Sequence, residues 1–137
     1  MNVDKTLISE IKSIITHNRE QAIQAVDNFR VLMYWQIGKR IFEVEQEGKD
    51  KAEYGSYLIR SIATELQPEF GSGYSIRQLE RYRQFYRLFP IASALRTQFS
   101  WTHYKLLLPL ENNDKREYYI LEATKNNWNS RQLRKTN

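Results

Sequence analysis

Residues 6–48 read TLISEIKSIITHNREQAIQAVDNFRVLMYWQIGKRIFEVEQEG, and this stretch decides the fold. Leu7, Ile8, Ile11, Ile14, Ile15, Ala22, Val26, Phe29, Met33, Ile37 and Ile41 recur at steps of three and four. That spacing lines one side of an α-helix with apolar side chains. Asp4 supplies a carboxylate for the first turn, and no proline occurs before Pro68. The pattern predicts one long helix, or two in line, over 4–47. Gly38 interrupts it, and its expected role is close packing against another helix. Glu47-Gly48-Lys49-Asp50 reads as the stop, with Gly48 where a helix C-terminus favours glycine. A stripe of roughly forty residues exceeds what one small domain needs to cover. Part of it is expected to meet a second chain, as a homodimer through this helix.

Downstream, the periodicity predicts shorter helices. Tyr54-Gly55-Ser56 opens one with Leu58, Ile59, Ile62, Ala63 and Leu66 as its buried stripe, ending near Gln67-Pro68. Residues 68–74 carry Gly71 and Gly73 and turn the chain sharply. Ser75 caps a helix that runs to about Phe89, where Pro90 stops it. A short helical turn covers 91–97, and Ser100 or Thr102 caps a helix through Leu110. Residues 113–125 are amphipathic, with Tyr118, Tyr119, Leu121 and Ala123 expected near the buried side. Asn129 or Ser130 caps a last helix. No segment alternates with period two for long enough to make a strand. The fold class is all-α, a single multi-helix domain over 1–137. It comprises a long N-terminal helix, a helix-turn-helix-like unit over 56–89, and C-terminal helices over 100–137.

Composition narrows the function. The absence of cysteine excludes disulfide scaffolds, thiol nucleophiles and thiolate metal sites. No uncharged run is long enough to span a bilayer. Asp4 and Glu10 flank the first apolar residues, so no signal segment opens the chain, and a soluble cytoplasmic protein is expected. The net charge of +5 is unevenly spread. Residues 1–70 hold nine Lys/Arg against eleven Asp/Glu, and residues 71–137 hold twelve against five. Arg77, Arg81, Arg83 and Arg87 stand against Glu80 alone between Gly71 and Pro90. Lys125, Arg131, Arg134 and Lys135 stand with no acid between Lys125 and Asn137. Clustered cations on folded segments are the electrostatic footprint of a polyanion partner.

Catalytic patterns fail one by one. His17 and His103 have no ligand spacing, and His103 in Ser100-Trp101-Thr102-His103-Tyr104 reads as a packed or capping residue. Gly71-Ser72-Gly73 lacks the Gly-Lys-Ser/Thr of a phosphate loop. Glu10-Ile11-Lys12 spells a nuclease-like Glu-x-Lys, but on a helix residues two apart point about 200° away from each other. Glu43, Glu45 and Glu47 read as a solvated helix end. No metal, cofactor or catalytic site is expected in this chain.

Nucleic-acid recognition fares better. Projected on a helix, Leu79, Tyr82, Phe85, Tyr86 and Phe89 share one arc, and Arg77, Arg81 and Gln84 fall opposite, with Glu80 and Arg87 at the edge. A helix packed by its aromatic side would present Arg77, Arg81 and Gln84 to a groove or to phosphates, and Arg87 to the backbone. Arg131, Arg134 and Lys135 form a second phosphate-contacting patch. DNA is the expected partner, although arginine contacts to phosphate serve RNA equally. Tyr34, Trp35, Trp101, Tyr104 and Trp128 sit among apolar neighbours and read as core rather than base-stacking groups. One echo stands out: Tyr74-Ser75-Ile76-Arg77-Gln78-Leu79 matches Trp128-Asn129-Ser130-Arg131-Gln132-Leu133 in its order of aromatic, cap, x-Arg-Gln-Leu. Each is the grammar of a basic helix start.

Several longer motifs carry a family resemblance. They are Tyr34-Trp35-Gln36-Ile37-Gly38-Lys39-Arg40-Ile41, Ala52-Glu53-Tyr54-Gly55 and Glu69-Phe70-Gly71-Ser72-Gly73-Tyr74-Ser75. Arg83-Gln84-Phe85-Tyr86 with Phe89-Pro90, Leu95, Ser100-Trp101-Thr102-His103-Tyr104, and Trp128 continue the series in order. The chain resembles the YhcG N-terminal domain family over nearly its whole length. The resemblance implies a helical, helix-turn-helix-like DNA-binding module that precedes a C-terminal PDDEXK-type nuclease domain. That nuclease domain is expected beyond Asn137 in a full-length protein, so none of its catalytic residues is carried over.

Overall fold

The computed structural model describes residues 4–136; residues 1–3 and 137 of the predicted domain lie outside the described residues. Among the described residues the architecture is all-α, with six helices: α1 (Lys5–Glu45), α2 (Lys51–Phe70), α3 (Ile76–Leu88), α4 (Trp101–Leu107), α5 (Asn113–Lys125) and α6 (Ser130–Thr136). Single 3₁₀ turns at Ser72–Tyr74 and Ala92–Ala94 connect α2 to α3 and α3 to α4. Among the described residues no helix is long and apolar enough to cross a membrane.

The long N-terminal stretch forms one unbroken helix of 41 residues, about 60 Å long. Asp4 caps it by accepting from the Thr6 N–H at 2.9 Å. The stop comes three residues before Gly48, because α1 ends at Glu45 and residues 46–50 turn the chain. α2 opens earlier than its apolar stripe suggested, because the Asp50 side chain accepts from the Glu53 N–H at 3.3 Å. It also runs through Pro68 to Phe70. Proline in this last turn leaves the Thr64 carbonyl without its helical donor and crowds it with the ring, and α2 ends two residues later. The Gly71 N–H then closes the helix on the Gln67 carbonyl at 2.9 Å. Gly71 takes φ 95°, a left-handed conformation that suits glycine and reverses the chain toward α3.

α3 is the hub. Its Leu79 and Tyr82 belong to a cluster with Ile41, Ile59 and Ala63 from α1 and α2. One turn on, Phe85 enters a second cluster with Val31, Trp35, Phe99, Tyr104, Leu107, Ile120 and Leu133. Trp101 packs against both. The crossing of α1 over α3 is set by Gly38, where a Cβ would collide with the Tyr82 carbonyl. The aromatics expected in the core are there: Tyr34 stacks on Tyr82 at 4.2 Å and 8°. The Trp35 indole donates to the Phe89 carbonyl at 2.6 Å. Tyr104 is buried, its hydroxyl accepting from the Arg96 N–H at 2.8 Å. Burial pushes that phenol up to about 12. On α5 the expectation needs correcting. Arg116, Ile120 and Ala123 face inward, whereas Tyr118 and Leu121 are exposed. The inward row steps by four and three, and Arg116 joins it by donating to the Leu110 carbonyl at 2.7 Å and to the Asn113 side chain. A buried arginine that satisfies carbonyls cannot be told from a surface one by residue type.

Candidate nucleic-acid interface

The basic helix starts are built as their shared sequence suggested. At α3 the Ser75 hydroxyl accepts from the Gln78 N–H at 3.3 Å, and Leu79 is fully buried beneath the first turn. At α6 Asn129 makes a reciprocal cap. Its side chain accepts from the Gln132 N–H at 2.8 Å, and the Gln132 side chain accepts from the Asn129 N–H at 2.9 Å. Leu133 is fully buried in turn.

The arginines of α3 separate into two kinds. Arg77 and Arg87 are exposed, and their side chains make no hydrogen bond or ion pair with a described residue. Arg81 is half-buried and donates to the Gln78 side chain at 3.2 Å, which holds the guanidinium along the helix. Arg83 faces inward instead and pairs with Glu45 of α1 at 2.9 Å, both side chains mostly buried. It locks two helices together and is not available to a partner. Glu80 is exposed on the same side as Arg77 and Arg87 and dilutes the positive field there. On α6, Arg131, Arg134 and Lys135 are all exposed and make no such bonds with described residues.

Gln84 sits differently from its place in the projection. It is half-buried, and its amide donates to the Leu108 carbonyl at 3.2 Å, just past the end of α4. The chain after α4 covers that flank of α3, a tertiary effect that no wheel can display. Gln84 therefore ties α3 to the C-terminal helices in the free protein. Phe70 carries no role in the sequence beyond its place in the Glu69-to-Ser75 motif. It is exposed at the end of α2, with its ring 5.8 Å from that of Tyr74 at 62°, beside the chain reversal that leads into α3. Its signal was a phenylalanine directly before the glycine that closes a helix.

His103 is the packed capping residue its neighbours suggested. The Ser100 N–H donates to its Nδ1 at 3.0 Å, so the proton sits on Nε2, which donates to the Trp128 carbonyl at 2.8 Å. The ring stacks on Phe99 at 4.9 Å and 3°. Burial lowers its pKa, while the Trp128 carbonyl and the more distant Asp27 pull the other way.

An arrangement of unpaired guanidiniums on the outer face of one capped helix, and of unpaired cations on another, can attract and clamp phosphate oxygens. Comparison with known proteins gives the family context. The family described as the DUF1016 N-terminal domain matches residues 10–136. "Putative nuclease YhcG" of Escherichia coli (strain K12) is 26% identical over 152 aligned positions, covering 88% of this chain. The chain spans 40% of that relative's length. No solved structure matches. The match runs from Glu10, in the second turn of α1, through the end of α6 and spans every motif quoted above, and the chain belongs to the DUF1016 N-terminal domain family.

Proposed function

We propose that this chain is a DNA-binding helical module that forms the N-terminal part of a nuclease. The observation that carries the reading is the set of exposed cations, unpaired among the described residues, on two capped helices: Arg77 in the first turn and Arg87 in the last turn of α3, and Arg131, Arg134 and Lys135 along α6. α2, the chain reversal at Gly71 and α3 act as a helix-turn-helix-like unit. Arg77 and Arg81 reach the groove or its phosphates, and Arg87 contacts the backbone. Gln84 sits behind them and orients the helix until DNA competes for its amide. The α6 cations contact a second stretch of phosphates. The likeness to a relative named as a nuclease in Escherichia coli, and the 40% of its length that this chain spans, support a C-terminal nuclease domain in the full protein. Catalysis belongs to that domain, and its place of work is the cytoplasm. Mg²⁺-dependent cleavage by residues 1–137 alone would contradict this division of labour.

Fluorescence anisotropy on duplex DNA at two salt concentrations tests binding. Affinity should fall steeply with salt, and each lost phosphate contact should lower the slope by about one unit. Arg77→Ala with Arg81→Ala should weaken binding and flatten the slope by about two units. Unchanged affinity and slope would remove α3 from the interface. A parallel titration on duplex RNA tests the same arginines against A-form phosphates.

A second reading is an oligomerisation or interaction module with no direct nucleic-acid contact. The exposed apolar stripe on the first half of α1 favours it. A chain that associates but shows no salt-dependent DNA binding would establish that reading and end the first.

A further inference from the structure

We infer that the bare side of α1 pairs with α1 of a second copy of this chain. Residues 4–23 are exposed throughout, and among the described residues burial on α1 begins at Gln24, whose amide donates to the Thr97 carbonyl at 2.5 Å. Nearly half of the longest helix therefore projects from the packed body.

One side of the projecting part is apolar, and this stripe continues into the packed half of α1. Ile8, Ile11, Ile15, Ala22, Phe29 and Leu32 follow the a and d positions of a heptad, the seam of a two-helix coil. The large members are between 41% (Ile8, Leu32) and 74% (Phe29) exposed. At 100° per residue this seam lies about 150° around the helix from Val31, Trp35 and Gly38, which pack within the body. A second helix can therefore run from Ile8 to Leu32 without displacing α3.

Three features select a second copy as the occupant. The seam is self-complementary in volume. In an antiparallel pair centred on Glu20, Ile15 meets Ala25, Asn18 meets Ala22, and Ile11 meets Phe29, so small faces large near the axis. The flanks suit the same pairing. Lys5 and Lys12 stand opposite Met33 and Val26, where their methylene stems cover apolar surface, and the Arg19 side chains meet at the axis with room to spread into solvent. The scale also fits: the seam with Leu7, Ile14 and Val26 beside it offers on the order of 800 Å² per chain, what a stable interface takes from each partner. Isoleucine is moreover a middling helix former. Four isoleucines within residues 8–15 hold a helix in water best when packing covers them.

Sedimentation equilibrium of residues 1–137 at tens of micromolar, with far-UV circular dichroism, tests the pairing. The chain should be a dimer. Ile11→Glu with Ile15→Glu should make it a monomer and lower its helicity. Thr6→Glu with Ser13→Glu, on the opposite side of the same turns, should leave the dimer intact. Tryptophan fluorescence should match in all three, because the body begins after residue 23. A monomeric parent chain overturns the inference and returns the seam to another domain or protein. A dimer that survives Ile11→Glu with Ile15→Glu overturns it equally. DNA affinity is read separately by anisotropy, so failure of the pairing and failure of the binding reading are distinguishable.

Discussion

The starts of α3 and α6 spell almost the same sentence and are held in the fold by different means. Both place an aromatic residue, a capping side chain, an exposed arginine and a fully buried leucine in the same order. α3 is gripped at mid-length by a backbone approach, Gly38 of α1 against the Tyr82 carbonyl, and by the mostly buried Arg83–Glu45 pair. The Tyr82 hydroxyl also reaches back to the Gly73 carbonyl at 2.7 Å, pinning the turn that precedes the helix. α6 is a seven-residue helix. Its entry is held at Trp128, whose carbonyl accepts from the His103 imidazole and whose N–H donates to the Ala123 carbonyl at 3.0 Å. Local sequence thus writes a helix start twice, and tertiary context decides which one is rigid.

The largest effect should come from breaking the grip on α3. Gly38→Ala inserts a methyl group against main-chain atoms that cannot rotate away, so α1 and α3 must separate. A loss of about 3 kcal/mol is expected, at the upper end of overpacking costs, and urea unfolding measures it. Gly73→Ala is the contrast: its Cβ would meet open space, and stability should change by less than about 1 kcal/mol. A mild Gly38→Ala would show that the crossing is softer than the packing implies.

Truncating the two matched leucines asks the question from inside the core. Leu79→Ala should cost between about 2 and 5 kcal/mol, since two helices close over it. Leu133→Ala removes the same atoms, but its cost is capped by the free energy of undocking a terminal helix. Equal losses in urea, with equal hydrogen-exchange protection of α3 and α6, would erase the proposed difference.

The two starts also differ in how much of their surroundings could be read ahead of the structure. Periodicity reveals faces, so Leu79, Tyr82 and Phe85 were readable as core, and a glycine amid a helical stripe was readable as a close crossing. Caps were readable from Ser75, Ser100 and Asn129 because the bond they make spans three residues. What escaped reading depends on partners far along the chain. Arg83 pairs across 38 residues with Glu45, and Gln84 bonds across 24 residues to Leu108, so two polar side chains of the basic helix are occupied inside the protein. Pro68 looked like a stop because helix rules penalise proline in the interior, while its actual place is the last turn. The exposed cations were identifiable by type and phase; their freedom from ion pairs became visible only with every acid in place.

A smaller effect separates the starts by pH. His103 is neutral when folded, since the Ser100 N–H points at Nδ1 and protonation would set two donors against each other. Its pKa is lowered from the ordinary 6.5, burial being the main cause. The unfolded chain therefore binds a proton more readily, and stability is full above pH 6.5 and declines as pH falls toward the folded value. Thermal melts between pH 8 and pH 5 should show this decline, with hydrogen exchange rising first in α6. His103→Gln should flatten the profile, and a parent profile already flat would dismiss the imidazole as the hold on α6.

The smallest effect concerns the caps themselves. Ser75→Ala removes one long hydrogen bond of 3.3 Å from a helix that is otherwise clamped, so a loss of about 0.5 kcal/mol is expected. Asn129→Ala removes one bond of 2.8 Å and leaves only the reciprocal half of the cap, the residue-129 N–H donating to the Gln132 side chain, for a local loss of about 1 kcal/mol. The stronger cap thus belongs to the weaker helix, which is where it is needed. A seven-residue helix has too few internal bonds to hold itself, whereas α3 would stay folded on its packing alone. Global unfolding should register Ser75→Ala in full and Asn129→Ala only in part, while hydrogen exchange in α6 registers Asn129→Ala completely. The reverse ranking would place α6 inside the cooperative core and make the two starts equivalent.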